Sequence, residues 1–174
     1  MNRQALPAHN FATAGLPESP TWKKLESPCA AAEAKMILNK AAGHLEGVFR
    51  TSEPLGHAAD GTPCHILLRF HEDGLVLHES LCKDVEAKWE EIEKWFNRDA
   101  AATDEGFGVG VGTYTIKGSQ VNFSTVGYDR ECQLRTELEH SGIIEGDCLR
   151  IKTKLVDDPQ VFEHVFVPLG AAQN

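Results

Sequence analysis

Two histidines and two hydroxyl-bearing residues are the side chains of this chain best suited to contact a bound small molecule. His140 stands in an alternating apolar and polar stretch that places it opposite Thr153 on the face that also carries Leu138. An inward imidazole can hydrogen-bond a ligand, bind a metal or haem, or act as a base. The commoner arrangement is a core histidine satisfied by Thr153 or by a backbone carbonyl. Tyr114 has the same two interpretations, because its hydroxyl either reaches a cavity or finds a partner at the end of the fold.

The remaining ligand-contacting candidates follow from the same alternation. His164 alternates with Phe162 and Phe166, so it faces inward if those aromatic residues do. Arg69 would suit a carboxylate on an acidic ligand, since its planar guanidinium binds two oxygens at once. The competing interpretation of Arg69 is an outer-face residue paired with a nearby acid. The predicted ligand-contacting residues are Arg69, Tyr114, Phe123, His140, Thr153, Phe162 and His164.

The sequence contains no recognisable catalytic arrangement. It has no glycine-rich loop between a strand and a helix, no nucleophile elbow and no paired carboxylates in a known frame. No third metal ligand accompanies His140 and His164, so we expect neither a metal nor a cofactor. The pattern favours a non-enzymatic protein. The lowest-ranked alternative is a small barrel isomerase or hydrolase that uses an inward histidine as its base.

Composition limits the partners. The net charge of -9 argues against a nucleic-acid backbone as a partner, because such surfaces are usually basic. No apolar run approaches the roughly 20 residues of a membrane span, and the first 15 residues lack the pattern of a secretory signal. The five cysteines are an odd number without Cys-x-x-Cys spacing, which predicts buried free thiols. These features predict a cytoplasmic protein.

Two hairpins define the elements that position the candidates. If Gly118-Ser119 is a two-residue loop, Tyr114 faces Phe123, and the apolar residues of both strands share one side. The Gly146-Asp147 loop gives the same result further along, with His140 facing Thr153. Apolar residues on one side and charged residues on the other are typical of an antiparallel sheet with one solvated face.

The same alternation of apolar and polar residues, with a period of two, extends over most of the chain. Strands are predicted near residues 47–52, 64–71, 75–80, 107–116, 120–126, 132–144, 148–155 and 161–168. The fold class is therefore all-β: an up-and-down antiparallel barrel of about eight strands. The loop near Asp73 has two alternative lengths, so the sequence does not decide whether the side chains of Arg69 and His78 point into or out of the barrel.

Helices and tails complete the predicted organisation. Residues 84–97 have the period of an amphipathic helix inserted into the barrel. Residues 29–44 have the pattern of an N-terminal helix, preceded by a mobile tail at 1–28. The barrel domain spans 45–169, and residues 170–174 form a short C-terminal tail.

With these strands in place, the chain resembles the lipocalin-like, or calycin, superfamily. Gly47-Val48-Phe49 stands at the first strand, where lipocalins carry Gly-x-Trp, and the segment 69–77 resembles a strand–turn–strand unit of lipocalin-like domains. The resemblance implies a barrel that holds a small hydrophobic or amphipathic molecule. The alternative is an interaction or scaffold domain with a filled barrel, which contacts a protein partner or a second copy of the chain through residues 29–44.

Overall fold

Alternating apolar and polar side chains form nine strands in the computed structural model, which describes residues 44–101, 108–129 and 134–169. The strands are β1 (Gly47–Thr51), β2 (Gly56–His57), β3 (Pro63–Phe70), β4 (Leu75–Cys82), β5 (Gly110–Lys117), β6 (Gln120–Asp129), β7 (Leu134–Glu145), β8 (Cys148–Leu155) and β9 (Val161–Pro168). Each predicted strand is present, with bounds shifted by a few residues. The two-residue β2 lies in a segment without a predicted strand.

Eight of these strands form a closed ring. Neighbours pair antiparallel in the order β1-β9-β8-β7-β6-β5-β4-β3, and β1 also pairs with β3, which closes the barrel. The extra strand β2 pairs with β3 outside this ring. The predicted all-β, eight-stranded antiparallel barrel is confirmed. Closure satisfies the backbone of both edges of the sheet, which an open sheet would leave unpaired.

The predicted registers of both hairpins are confirmed. Tyr114 pairs with Phe123 across β5 and β6, and His140 pairs with Thr153 across β7 and β8. Gly118 and Gly146 have φ values of +64° and +62°, which a primed two-residue turn requires and which residues with a side chain rarely adopt. Each strand therefore has an inward row of side chains toward the barrel axis and an outward row toward the outside.

The turn between β3 and β4 decides which way the side chains of His78 and Arg69 point, which the sequence did not. The His71 N–H donates to the Leu75 carbonyl at 2.9 Å and closes a three-residue loop of residues 72–74. In the resulting register His78 belongs to the inward row, whereas Arg69 belongs to the outward row.

The segment between β4 and β5 corrects the predicted helix over 84–97. Within the described part of this segment, up to residue 101, the helical residues are α1 (Trp89–Ile92) and α2 (Arg98–Ala101), and turns connect them. The predicted apolar side of the segment is nevertheless buried, since Val85 and Phe96 are at most 1% exposed. These side chains pack on the outward row of the barrel wall around Leu77. Tertiary burial thus fixes the segment without a regular helix.

Ion pairs and hydrogen bonds hold this segment against the barrel. Arg50 Nε lies 2.6 Å from Glu86 Oε1, and Arg69 donates from Nη1 to the carbonyl of Phe96 at 2.7 Å. The outward-facing arginines of β1 and β3 therefore fasten the covering segment rather than any interior group.

A disulfide corrects the expectation of free thiols. Cys64 on β3 and Cys82 on β4 are register partners, and their sulfur atoms are bonded. Because they are 18 positions apart in the sequence, only the pairing of the two strands brings them together. Spacing along the sequence gave no sign of this bond.

Three predicted segments lie outside the described residues: the tail at 1–28, the helix at 29–44 except for its last residue, and the tail at 170–174. In the part of the chain that is described, no helix has the length and apolar character needed to cross a membrane.

Candidate functional site

One end of the barrel is filled by aromatic side chains around Phe70. The ring centroid of Phe70 lies 5.8 Å from Phe49, 5.1 Å from Tyr114 and 5.5 Å from Phe123, each pair in an edge-to-face arrangement. Such pairs stabilise a core beyond the effect of their buried area. All four rings are buried. We call this region the closed end.

The hydroxyl of Tyr114 is fully engaged at the closed end. It accepts the N–H of Leu45 at 3.0 Å, and its oxygen lies 2.8 Å and 2.9 Å from the carbonyl oxygens of Leu45 and His71. Burial raises the pKa of the phenol, which stays protonated at neutral pH. Tyr114 therefore fastens the chain before β1 across this end of the barrel.

A histidine held by two threonines lies further along the barrel. Thr125 Oγ1 is 3.1 Å from Nε2 of His140, and Thr153 Oγ1 is 3.0 Å from Nδ1. The imidazole also stacks on Phe123 at a centroid distance of 4.3 Å. Burial, together with the nearby His78, lowers the pKa of His140 to about 3. The ring is therefore neutral at pH 7.

His78 faces the same interior from β4. Its ring centroid lies 5.4 Å from that of His140, and burial lowers its pKa to about 4. Among the described residues, its side chain makes no hydrogen bond. We call His78, Thr125, His140 and Thr153 the histidine–threonine cluster. The cluster offers neutral hydrogen-bonding groups rather than charges.

Beyond this cluster, inward-row side chains are exposed to solvent. Phe162 pairs with Thr153 and belongs to the inward row, yet it is 47% exposed. Leu155, inward on β8, is 36% exposed, and Ser80, inward on β4, is also exposed. Inward side chains are covered at the closed end but not here. We call the rim formed by Ser80, Leu155 and Phe162 the mouth.

The predicted ligand-contacting residues lie in three places. His140 and Thr153 in the cluster, and Phe162 at the rim, belong to the interior toward the mouth; His164 is also inward, perpendicular to Phe166 at 6.5 Å, and burial lowers its pKa. Tyr114 and Phe123 belong to the closed end, although the ring of Phe123 also stacks on His140. Arg69 lies on the outer wall.

Sequence reasoning missed two members of the cluster. The direction of the His78 side chain was not predicted, because the two possible loop lengths point it to opposite sides of the sheet. Thr125 follows Phe123 by two residues and so belongs to the same inward row, a signal that the period of two already contained.

The outer wall carries a groove that the sequence did not predict. Its volume is about 620 Å³, and it lies across β5 to β9 on the side opposite the interior. Phe123 and His140 also border it. Most of its lining consists of polar side chains of the outward rows, including Thr113, Asn122, Ser124, Ser141, Lys152 and Lys154.

Two observations bear on the chemistry and kinship of the chain. Across the described ranges, no three His, Cys, Asp or Glu side chains are grouped so that they could hold a metal ion. Comparison with protein-family models, with curated proteins and with solved structures gives no match.

Proposed function

We propose that this chain is a non-enzymatic, lipocalin-like binding protein that holds a small hydrophobic or amphipathic molecule in the mouth of its barrel. The observation that carries this proposal is the exposure of inward-facing apolar side chains above a neutral hydrogen-bonding cluster. A folded barrel normally covers its inward apolar residues, as the closed end does with Phe70. Residues such as Phe162 remain available for a ligand to cover.

The energetics support a ligand of mixed character. Covering apolar surface contributes about 25 cal/mol per Å². Phe162 and Leu155 would supply that surface, while the cluster below them would fix the orientation of a polar group. Binding sites for small molecules typically combine such apolar walls with a few polar groups.

A blocking variant tests where the molecule binds. Ser80→Trp places a large side chain in the inward row at the rim, whereas Ser124→Trp places the same side chain in the outer groove. Calorimetric titration with fatty acids, alkanols, aromatic acids and haem should find a ligand whose affinity falls at least about tenfold in Ser80→Trp, since filling the rim removes its contacts. Ser124→Trp should bind like the parent protein. A folded parent protein that binds none of these ligands would refute the proposal.

The outer groove favours a second candidate, an interaction domain that binds a protein partner. Its volume of about 620 Å³ and its lining by Lys152, Lys154 and hydroxyl groups suit polar contacts with another surface. The two variants then exchange roles: Ser124→Trp should release a co-purifying partner, and Ser80→Trp should retain it.

An enzymatic role for His140 is less favoured. Both of its ring nitrogens contact threonine hydroxyls, and its pKa of about 3 makes it a weak base at neutral pH. Replacing His140 by Ala should therefore leave any activity of a purified sample unchanged.

A further inference from the structure

Among the described residues, the charged side chains next to the histidine–threonine cluster lie in the outward rows of the barrel wall. Glu79 follows His78, and Glu139 precedes His140, so alternation places both carboxylates in outward rows. Lys152 and Lys154 flank Thr153 in the same way. The described inward side chains next to the cluster are therefore all uncharged.

This arrangement decides which ligand head group is tolerated. A carboxylate moved from water into the interior loses its hydration, and none of the described inward side chains near the cluster is a cation that could compensate for that loss. Arg69 cannot compensate, because its guanidinium is bound to the carbonyl of Phe96 on the outer wall. An ammonium group would likewise find no carboxylate at these positions. An uncharged head group avoids both costs.

Within the cluster, the hydrogen-bonding capacity of His140 is already used. A neutral imidazole has one donor and one acceptor nitrogen, and the hydroxyls of Thr125 and Thr153 occupy both. His78 has the same capacity, but its ring has no hydrogen-bond partner among the described residues. It lies beside His140, so a group that reaches the cluster meets His78.

We infer that the mouth selects an uncharged amphiphile with a hydroxyl group, and that His78 forms the hydrogen bond to this hydroxyl. The inference rests on the proposed function and specifies its ligand class. An alcohol or phenol can donate to one imidazole nitrogen or accept from the other. Its apolar part would then cover Leu155 and Phe162 at the rim.

Matched eight-carbon ligands test the head group. Titration of the full chain at pH 7.5 with 1-octanol, octanoate and octylammonium, followed by calorimetry or ligand-observed NMR, should show binding of octanol. We expect both charged ligands to bind on the order of tenfold more weakly or not at all, because a buried charge without a partner costs more than 1.4 kcal/mol. Octanoate should gain affinity as the pH approaches the pKa of its carboxyl group.

Two variants test the assigned anchor. His78→Phe keeps a planar ring but removes the hydrogen bond, and should weaken octanol binding by about tenfold. His78→Gln retains a donor and an acceptor and should bind more tightly than His78→Phe. The matched control is His57→Phe, which makes the same replacement at an exposed histidine of β2 and should leave the preference for octanol intact. Circular dichroism checks that each variant is folded.

The outcomes separate the inference from the proposed function. If octanoate or octylammonium binds as tightly as octanol, or if His78→Phe binds octanol like the parent protein, the inference is overturned while the container role stands. If none of the three ligands binds to the folded parent protein, the inference is overturned, and the container role falls with it only if the wider panel of fatty acids, alkanols, aromatic acids and haem also fails to bind. The preference among head groups in the parent protein decides the question even where a His78 variant does not fold.

Discussion

The two ends of the barrel satisfy their polar groups in opposite ways. At the closed end, the hydroxyl of Tyr114 is bound to backbone groups, and aromatic rings cover it. Toward the mouth, His140 is bound to side chains, and the inward residues beyond it stay exposed. One end therefore completes its own burial. The other end leaves inward apolar side chains exposed, and the proposed ligand would add stability by covering them.

The largest expected loss of stability comes from a substitution at the closed end. Phe70→Ala removes the ring that contacts Phe49, Tyr114 and Phe123, and should lower the free energy of unfolding by about 3–5 kcal/mol. Urea denaturation followed by circular dichroism measures it. The matched control is Phe162→Ala at the mouth, which should change stability by less than about 0.5 kcal/mol. Equal losses for both variants would contradict the distinction between the ends.

Lowering the pH should destabilise the protein through the histidine–threonine cluster. The pKa values of His78 and His140 are lowered to about 4 and about 3, whereas an unfolded histidine titrates near 6.5. Between pH 6.5 and pH 4 the unfolded chain therefore binds protons that the folded barrel excludes. From these two groups the free energy of unfolding should fall by a few kcal/mol as the pH is lowered over this range, whereas Glu79, whose pKa is raised by burial to about 7, acts in the opposite direction.

The measurement for this effect is the pH slope of stability in urea. Carboxylates also titrate in this range, so the comparison is between the parent protein and His78→Gln. The variant should show a shallower slope between pH 6.5 and pH 4. A slope identical to that of the parent protein would mean that His78 is protonated without cost in the folded state.

A smaller loss of stability is expected when the Tyr114 hydroxyl at the closed end is removed. Tyr114→Phe keeps the ring but leaves the N–H of Leu45 without its acceptor, which should cost about 1–3 kcal/mol. Thermal or chemical unfolding measures the loss. Hydrogen exchange at the Leu45 amide should accelerate at the same time, and an unchanged exchange rate would show that the hydroxyl does not protect this group.

The smallest effect is expected from the corresponding hydroxyl of the cluster. Thr153→Val removes the partner of His140 Nδ1, at a cost of about 0.5–1.5 kcal/mol. Thr115→Val, on the outward row, should be nearly neutral and serves as the control. A loss for Thr153→Val that exceeds the loss for Tyr114→Phe would reverse the proposed order of the two ends.

Local patterns of the sequence were sufficient to predict the strands and hairpins of the barrel wall. Gly118 and Gly146 mark the tight turns, and the period of two then sets the pairs Tyr114–Phe123 and His140–Thr153. These features depend on neighbours within one hairpin, so a single sequence can specify them.

Features that depend on the closed ring were harder to predict. The Cys64–Cys82 bond requires the register of β3 on β4, and the facing of His78 requires the length of the same turn. The segment around Trp89 has the period of a helix, but packing on the outer wall keeps only four residues helical. The groove beside Ser124 arises from the shape of a five-stranded surface, which no linear pattern records.

The small strand β2 has a consequence for self-association. The strands of the ring have neighbours on both sides, whereas Gly56–His57 pairs only with β3 and has a free side. Among the described residues, the ends of some ring strands are also paired on one side only, as at residues 79–82 of β4 and 134–136 of β7. Each of these segments is short and offers few hydrogen bonds to an incoming peptide, so the closed barrel presents little edge for growth into fibres.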